Sequence, residues 1–242
     1  MTPPLFLLDE LSDSDTIELT GDEGRHAARV KRLGVGESVL VGDGRGAVLR
    51  CSVAAVLADG LRLSVRERMS VPAARPRIVV VQALPKGDRA ELAVEVLTEL
   101  GADEVVPWAA ERSIAQWHGA RGERALEKWQ RTAREAAKQS RRAWAPVVAR
   151  LASTREVAGL LGDRVGVVLH EAAAVPLVSI DLAADRDIVV IVGPEGGITD
   201  TELAAFELAG AQAVRLGTPV LRTSTAGAAA LAALSVRLGR WA

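Results

Sequence analysis

Uncharged, β-branched runs recur along the chain from Arg77 onward, and they predict its main sheet. Residues 78–81, 165–169 and 188–192 carry no charged side chain, which is typical of strands that are buried on both faces. Helical patterns separate these runs, and strands that alternate with helices predict an α/β domain with a mostly parallel sheet. The predicted helices span residues 88–100, 122–143, 201–209 and 223–238.

The first 72 residues show a different pattern. Residues 38–41 and 47–53 flank a glycine-rich stretch at 42–46 that predicts a hairpin turn, and residues 61–65 alternate as a half-buried strand does. Helical spacing occurs at 22–33. Several short strands around one helix predict a small β-barrel. Two prolines among small residues at 71–76 predict a linker, which gives domains at 1–72 and 77–242.

Two loops near the C-terminus carry the most informative residues. Gly193-Pro194-Glu195-Gly196-Gly197 follows the apolar run 187–192, and residues 216–226, Leu-Gly-Thr-Pro-Val-Leu-Arg-Thr-Ser-Thr-Ala, follow the run 213–216. Ligands bind at the carboxyl ends of parallel strands, and glycines let the backbone approach a ligand closely. A single such loop is as readily a tight connection. Two of them, separated by one helix, favour a binding site.

The two loops resemble a known family. GPEGG followed by LGxxVLRTxTA is similar to the SPOUT class of S-adenosylmethionine-dependent RNA methyltransferases, in particular the RsmE type, which methylates N3 of a uridine in 16S ribosomal RNA. The segments 26–33, 82–89, 99–101 and 111–113 extend the resemblance over nearly the whole chain. Pro219 and Ser224 depart from the family pattern, which has Arg and Glu there. The resemblance implies a PUA-like β-barrel domain followed by a SPOUT-type α/β trefoil-knot domain.

The resemblance also implies that three loops enclose S-adenosyl-L-methionine. Backbone groups in a tight pocket can read adenine, which explains the small residues in these loops. The residues predicted to bind the cofactor are Leu169, His170, Gly193, Pro194, Glu195, Gly196, Gly197, Leu216, Gly217, Val220, Leu221, Thr223, Thr225 and Ala226.

Glu195 and Arg222 are the candidate catalytic residues. Glu195 either takes a proton from the acceptor base or accepts backbone hydrogen bonds and holds its loop; the second role is favoured. Arg222 either contacts the RNA or the cofactor, or binds a carbonyl or carboxylate of the protein. The hydroxyls at 223–225 stand where a helix begins, so helix capping is expected of at least one of them.

The composition and the missing motifs exclude several classes of protein and of site. A formal net charge of −1 and 49% hydrophobic residues suit an ordinary globular protein, and one cysteine excludes a disulfide framework. No P-loop string is present, and three scattered histidines with a lone cysteine predict no metal site. No apolar run reaches the ~18 residues of a membrane helix, and residues 1–8 do not read as a signal peptide. We therefore expect a cytoplasmic protein.

The segment 121–144, which contains the predicted helix 122–143, carries an excess of five positive charges. Its cations fall within an arc of roughly 160°, opposite an apolar stripe. A run of charges is ordinarily a solvated surface, but so large an excess of positive charge on one face favours contact with phosphates. A smaller basic stripe lies at residues 25–32. The predicted RNA-binding residues are Arg25, His26, Arg29, Arg32, Lys86, Arg112, Arg124, Lys128, Arg131 and Lys138.

The resemblance implies methylation of N3 of a uridine in the 16S ribosomal RNA of the small ribosomal subunit, and the basic helix agrees with an RNA substrate. The resemblance adds a homodimer as the expected assembly. Two alternatives remain open. The same fold could methylate ribose 2′-hydroxyls of ribosomal or transfer RNA, or the chain could be a non-catalytic RNA-binding assembly factor, which the departures at Pro219 and Ser224 leave open.

Overall fold

The computed structural model describes residues 2–87, 89–183 and 185–241. These residues form two compact units: residues 2–73 with Ala137–Ala145, and Ala74–Ala136 with residues 146–241. The division at residue 73 falls within the proline-containing segment 71–76. The segment 137–145, which the sequence places in the second domain, packs in the first unit, where the Trp144 indole donates a hydrogen bond to the Val71 carbonyl (2.8 Å).

The first unit is built on a sheet of mostly antiparallel strands. In the part of the chain described, its order is β1-β3-β4-β5-β2, and only the β1–β3 pair is parallel. The predicted hairpin turn joins β3 to β4. Alternate residues of the strands, such as Val39, Val41, Leu61 and Leu63, are buried in one core. The strands are β1 (Leu5–Leu7), β2 (Thr16–Leu19), β3 (Ser38–Gly42), β4 (Ala47–Leu57) and β5 (Gly60–Ser70).

The helical segment of this unit is shorter than predicted. Helix α1 (Gly21–Arg25) continues into a π-helical turn at His26–Val30. Arg32 then takes a left-handed conformation (φ 54°), which ends the helix.

The second unit is built on a parallel sheet of order β11-β9-β10-β6-β7-β8 among the described residues. Its central strands are the three uncharged runs of the sequence, which pair in register as Val190 with Val80 and Val167. The strands are β6 (Ile78–Ala83), β7 (Glu104–Trp108), β8 (Val147–Val148), β9 (Val165–Leu169), β10 (Ile188–Val192) and β11 (Ala211–Val214).

Helices cover both faces of this sheet. Helices α2, α3 and α6 share one core with Val80 and Val190, whereas α4 and α5 share the other with Val79 and Val189. Successive residues of one strand thus enter opposite cores, as burial on both faces requires. The helices are α2 (Arg89–Glu99), α3 (Gly119–Gln139), α4 (Thr154–Gly159), α5 (Asp200–Leu208) and α6 (Thr223–Arg237).

The predicted boundaries of the second unit differ from these by a few residues. Asp88, where the second predicted helix begins, lies outside the described residues. Helix α3 ends at Gln139 rather than Ala143, and Arg141 has a positive φ of 55°. Strand β11 ends at Val214, two residues earlier than predicted. A membrane span would need a longer and more apolar helix than any that the structure describes.

Candidate functional site

The three loops singled out in the sequence start at neighbouring strand ends. Strands β11, β9 and β10 are adjacent and parallel, so their carboxyl ends meet at one edge of the sheet. The loop after β9 runs beside the end of β11, because the His170 amide donates to the Val214 carbonyl (2.9 Å) and the Arg215 amide to the Val175 carbonyl (2.8 Å). The topology therefore brings residues 169–177, 193–197 and 215–222 to one place.

A cleft of about 80 Å³ opens between the ends of β9 and β11. Half of the residues predicted to bind the cofactor line it. Four other residues of the same two loops also line it, beyond those predicted individually to bind the cofactor: Glu171, Arg215, Thr218 and Pro219. The predicted residues in its wall are Leu169, His170, Leu216, Gly217, Val220, Leu221 and Ala226.

The glycine loop, residues 193–197, follows β10 and does not line that cleft. It closes on itself through a hydrogen bond from the Gly197 amide to the Pro194 carbonyl (2.9 Å), and Gly197 has a φ of 76° that favours glycine. Its position at the strand next to β9 keeps it at the same sheet edge.

The structure corrects the reason for two of these glycines. A Cβ atom on Gly196 would lie 2.9 Å from Cβ of Arg112, and one on Gly193 would lie 2.7 Å from Cγ1 of Ile198. Both positions therefore need glycine for packing within the protein rather than for approach to a ligand. At Gly217, by contrast, the nearest atom to an added Cβ is a Pro219 carbon at 3.7 Å, so a side chain there would project into open space at the cleft.

Glu195 is exposed, and one of its carboxylate oxygens accepts a hydrogen bond from the Lys86 amide (3.3 Å). This contact matches the loop-holding role favoured for it. The Arg112 guanidinium donates to the Gly196 carbonyl (3.2 Å). The glycine loop is thus held by the segments that follow β6 and β7.

Arg222 is the N-cap residue of α6, and its side chain is exposed. No hydrogen bond or ion pair joins its guanidinium to another described residue. Its carbonyl accepts hydrogen bonds from the Thr225 amide (2.9 Å) and hydroxyl (3.2 Å). The expected hydroxyl cap of α6 does not form, because the N-cap residue is arginine. Thr223 and Ser224 are buried instead.

Gln82 is a support that sequence reasoning missed. It lies at the end of β6, is 1% exposed, and its amide donates to the carbonyls of Ala83 (3.0 Å) and Thr223 (3.3 Å). A Cβ on Gly227 would lie 3.1 Å from a Val192 methyl carbon. The hydrogen bond from Gln82 and this close packing therefore hold the N-terminal end of α6 against the strands.

A second missed residue is Glu202, which is 4% exposed. Its carboxylate accepts from the amides of Thr199 (3.0 Å) and Glu111 (2.8 Å), and Thr199 caps α5 in return. The Thr-x-x-Glu spacing is a capping-box signal that was present in the sequence. This carboxylate joins the end of the glycine loop to the segment after β7.

His170 has a local role in the structure. One of its ring nitrogens, Nδ1, lies 3.3 Å from the Ala172 amide. Across the described residues, no group of three or more His, Cys, Asp or Glu side chains could hold a metal ion.

The predicted RNA-binding residues of the second unit differ in the contacts that their side chains make. Arg124 and Arg131 are exposed on α3, and neither forms an ion pair with a described residue. Lys128 is paired with Glu91 (2.8 Å). Lys86 and Arg112 are exposed, although backbone and side-chain contacts tie them to the glycine loop.

In the first unit, Lys138 forms a nearly buried ion pair with Glu23 (2.6 Å). Arg25 binds Asp22 and Asp59, and these hydrogen bonds raise the pKa of its guanidinium. His26 packs edge-on against Phe6, with ring centroids 6.3 Å apart. The other two predicted residues, Arg29 and Arg32, are exposed.

Comparison with known proteins identifies relatives over the whole chain. An RNA methyltransferase domain model matches residues 73–235, and an RNA methyltransferase PUA domain model matches residues 19–63. Ribosomal RNA small subunit methyltransferase E of Mycobacterium bovis is 47% identical over 100% of this chain and 94% of that protein. Its Bacillus subtilis namesake is 28% identical over 93% and 92%.

A crystal structure is also similar. Ribosomal RNA small subunit methyltransferase E from Neisseria gonorrhoeae, bound to S-adenosyl methionine, superposes with a TM-score of 0.86 at 29% identity, covering 98% of each chain.

Proposed function

The chain belongs to the ribosomal RNA small subunit methyltransferase E family, and on that premise we propose that it transfers a methyl group from S-adenosylmethionine to N3 of a uridine in 16S ribosomal RNA. The predicted fold class, a PUA-like domain followed by a SPOUT-type α/β domain, is confirmed. The observation that carries the proposal is the cleft between the ends of β9 and β11, beside the glycine loop.

The cleft has the chemistry that this cofactor needs. Apolar side chains of Leu169 and Leu221 and the open face of Gly217 would receive the adenosine, while loop amides and carbonyls would read its ring. The volume of about 80 Å³ is below the ~300–1,000 Å³ of small-molecule sites. Residues 217–222 are exposed, so we expect this loop to move outward as the cofactor binds.

When bound, S-adenosylmethionine supplies a methyl group on a sulfonium, which is already activated for transfer. The protein must then align the uracil and help its N3 lose a proton. The Arg222 guanidinium, unpaired among the described residues and at the positive end of α6, suits stabilisation of a developing uracil anion. Glu195 is exposed and could take the proton, but its carboxylate also accepts the hydrogen bond that holds its loop.

RNA binding is assigned to the basic face of α3 and, in the first unit, to Arg29 and Arg32. These side chains are exposed, and recognition by charge requires accessible cations. The partner is the small ribosomal subunit or its RNA, which sets the reaction in the cytoplasm.

A homodimer is the proposed assembly. Apolar side chains are exposed at the C-terminal end of α6, with Val236 65% and Trp241 50% exposed, and Val178 66% exposed in the segment that Arg237 binds. Light scattering at micromolar concentration tests this assembly, and a monomer mass would refute it.

The decisive experiment uses small subunits from cells that lack the methylation. The purified protein is incubated with these subunits and labelled cofactor, and the RNA is digested to nucleosides. We expect label in N3-methyluridine. Label in a 2′-O-methylated nucleoside would establish the alternative chemistry, and absence of label would favour an assembly factor.

Calorimetry locates the cofactor independently of turnover. Gly217→Val places a branched side chain in the cleft and should weaken cofactor binding at least ~10-fold, about 1.4 kcal/mol. Gly159→Val, where an added Cβ meets nothing within 4 Å, is the control on α4. Equal affinities for the two variants would place the cofactor elsewhere.

A further inference from the structure

A larger cavity, of about 700 Å³, lies at the same edge of the sheet as the cofactor cleft but on the other side of β10. Its walls come from the start of α2, the segment after β7 and the first turns of α3. The volume is within the range of small-molecule sites. We call it the α2–α3 groove and define it by Ile114, Trp117, His118, Arg121 and Lys128.

The groove offers one aromatic surface on a firm support. Trp117 is half-buried, and its ring meets the buried ring of Trp129 edge-to-face, with centroids 5.0 Å apart at 81°. The backbone of Trp117 also contacts α3 closely, because a Cβ on Gly122 would lie 2.9 Å from its carbonyl carbon. Trp117 lines a neighbouring cavity as well, so the residue borders two cavities.

Polar groups surround that aromatic surface. The His118 ring lies 3.0 Å from the Gln116 side-chain oxygen. Arg121 is exposed and forms no ion pair with a described residue. Lys128 is paired with Glu91, at the opposite wall. An aromatic plane flanked by cations is the combination that binds a nucleotide, through stacking of the base and attraction of its phosphate.

The groove is joined to the glycine loop by two hydrogen bonds. Lys86, between the lining residues Pro85 and Gly87, donates its amide hydrogen to Glu195, and Arg112, two residues before Ile114, binds the Gly196 carbonyl. Strands β9 and β6 are two positions apart, which is about 10 Å. A nucleotide in the groove would therefore lie beside the acceptor base rather than be the acceptor.

We propose that the α2–α3 groove binds a nucleotide that flanks the methylated uridine, with its base stacked on Trp117 and its phosphate on Arg121 and Lys128. The proposal rests on the proposed function, since it presumes an RNA substrate whose acceptor base reaches the cofactor cleft. It gives the substrate a direction of approach, from the β6–β7 side of the sheet edge.

The test measures RNA affinity separately from methylation. Filter binding with transcribed 16S ribosomal RNA is compared for the parent, Trp117→Leu, Trp117→Phe and Arg121→Gln, with Arg155→Gln on α4 as the matched surface control. Calorimetry with S-adenosylmethionine and thermal unfolding are run on each variant. Turnover on small subunits then gives KM and kcat.

Trp117→Leu should weaken RNA binding and raise KM for the subunit at least ~10-fold, while Trp117→Phe, which still stacks, stays within ~3-fold of the parent. Arg121→Gln should lower the salt slope of RNA binding by about 0.7–0.9. Cofactor affinity should hold throughout. The nucleotide site is refuted if Trp117→Leu and Arg121→Gln bind RNA as tightly as Arg155→Gln does. It is also refuted if Trp117→Phe and Trp117→Leu lose the same RNA affinity and the same thermal stability. A parent that binds RNA but methylates no nucleoside would refute the proposed function and leave the affinity comparison valid.

Discussion

Removing the Glu202 carboxylate should loosen the glycine loop from the segment that supports it. In Glu202→Ala the buried amide of Thr199 and the amide of Glu111 lose their acceptor. Hydrogen bonds to a charged group contribute about 1.5–3 kcal/mol each, and part of that is offset because a buried carboxylate no longer needs to be desolvated. We expect a loss of about 2–4 kcal/mol in the free energy of unfolding, or roughly 5–15 °C in Tm for a chain of this size.

The matched control is Glu207→Ala, which removes an exposed carboxylate from the same helix and should change stability by less than ~0.5 kcal/mol. Glu202→Gln keeps one acceptor oxygen and should recover about half of the loss. Urea unfolding followed by circular dichroism measures all three. If Glu202→Ala unfolds within ~0.5 kcal/mol of Glu207→Ala, the carboxylate does not hold the loop, and its buried contacts are not energetically coupled to the fold.

Three further predictions concern charge and protonation. Arg124→Gln with Arg131→Gln should lower the salt slope of RNA binding by about 1.4–1.8, and an unchanged slope would make α3 a solvated surface. Arg222→Ala should lower single-turnover methylation at least ~10-fold with little change in cofactor affinity. Glu195→Ala, which removes the acceptor of the Lys86 amide, should mainly lower Tm. Rates and stabilities equal to the parent's would show that neither residue has the role assigned to it. Burial raises the pKa of the Cys51 thiol from 9.0 to about 11, so the thiol should resist alkylation at pH 8 until urea unfolds the protein. The stability that the buried thiol contributes should be complete below pH 9 and lost as the pH rises through 11. Rapid alkylation of the folded protein would contradict this prediction.

The strands and loops of the second unit were predictable because burial on both faces leaves an unmistakable run of β-branched residues. Strand β7 was missed because Pro107 interrupts it, and proline ordinarily argues against an inner strand. Here Pro107 still contributes its carbonyl, which accepts from the Ala152 amide (2.8 Å). Helix α4 was missed although Ser153 and Glu156 form a capping box. Its six residues are too few to show a helical period.

The sequence was enough to locate the loops of the site but not always to assign what each residue does there, because that depends on contacts with residues far away in the sequence. The sequence predicts that Gly196 lets a ligand approach the backbone. In the structure the position of its missing Cβ lies against Arg112, which is 84 residues earlier in the chain. Arg112 in turn reads as an RNA-binding cation, yet its guanidinium binds the glycine loop. Such a pair can be recognised only after the sheet has placed β7 and β10 on either side of β6. Because Arg112 binds the Gly196 carbonyl and lies two residues before Ile114 of the α2–α3 groove, a change at Arg112 should disturb cofactor and RNA binding together, unlike a change at Arg121 or Gly217.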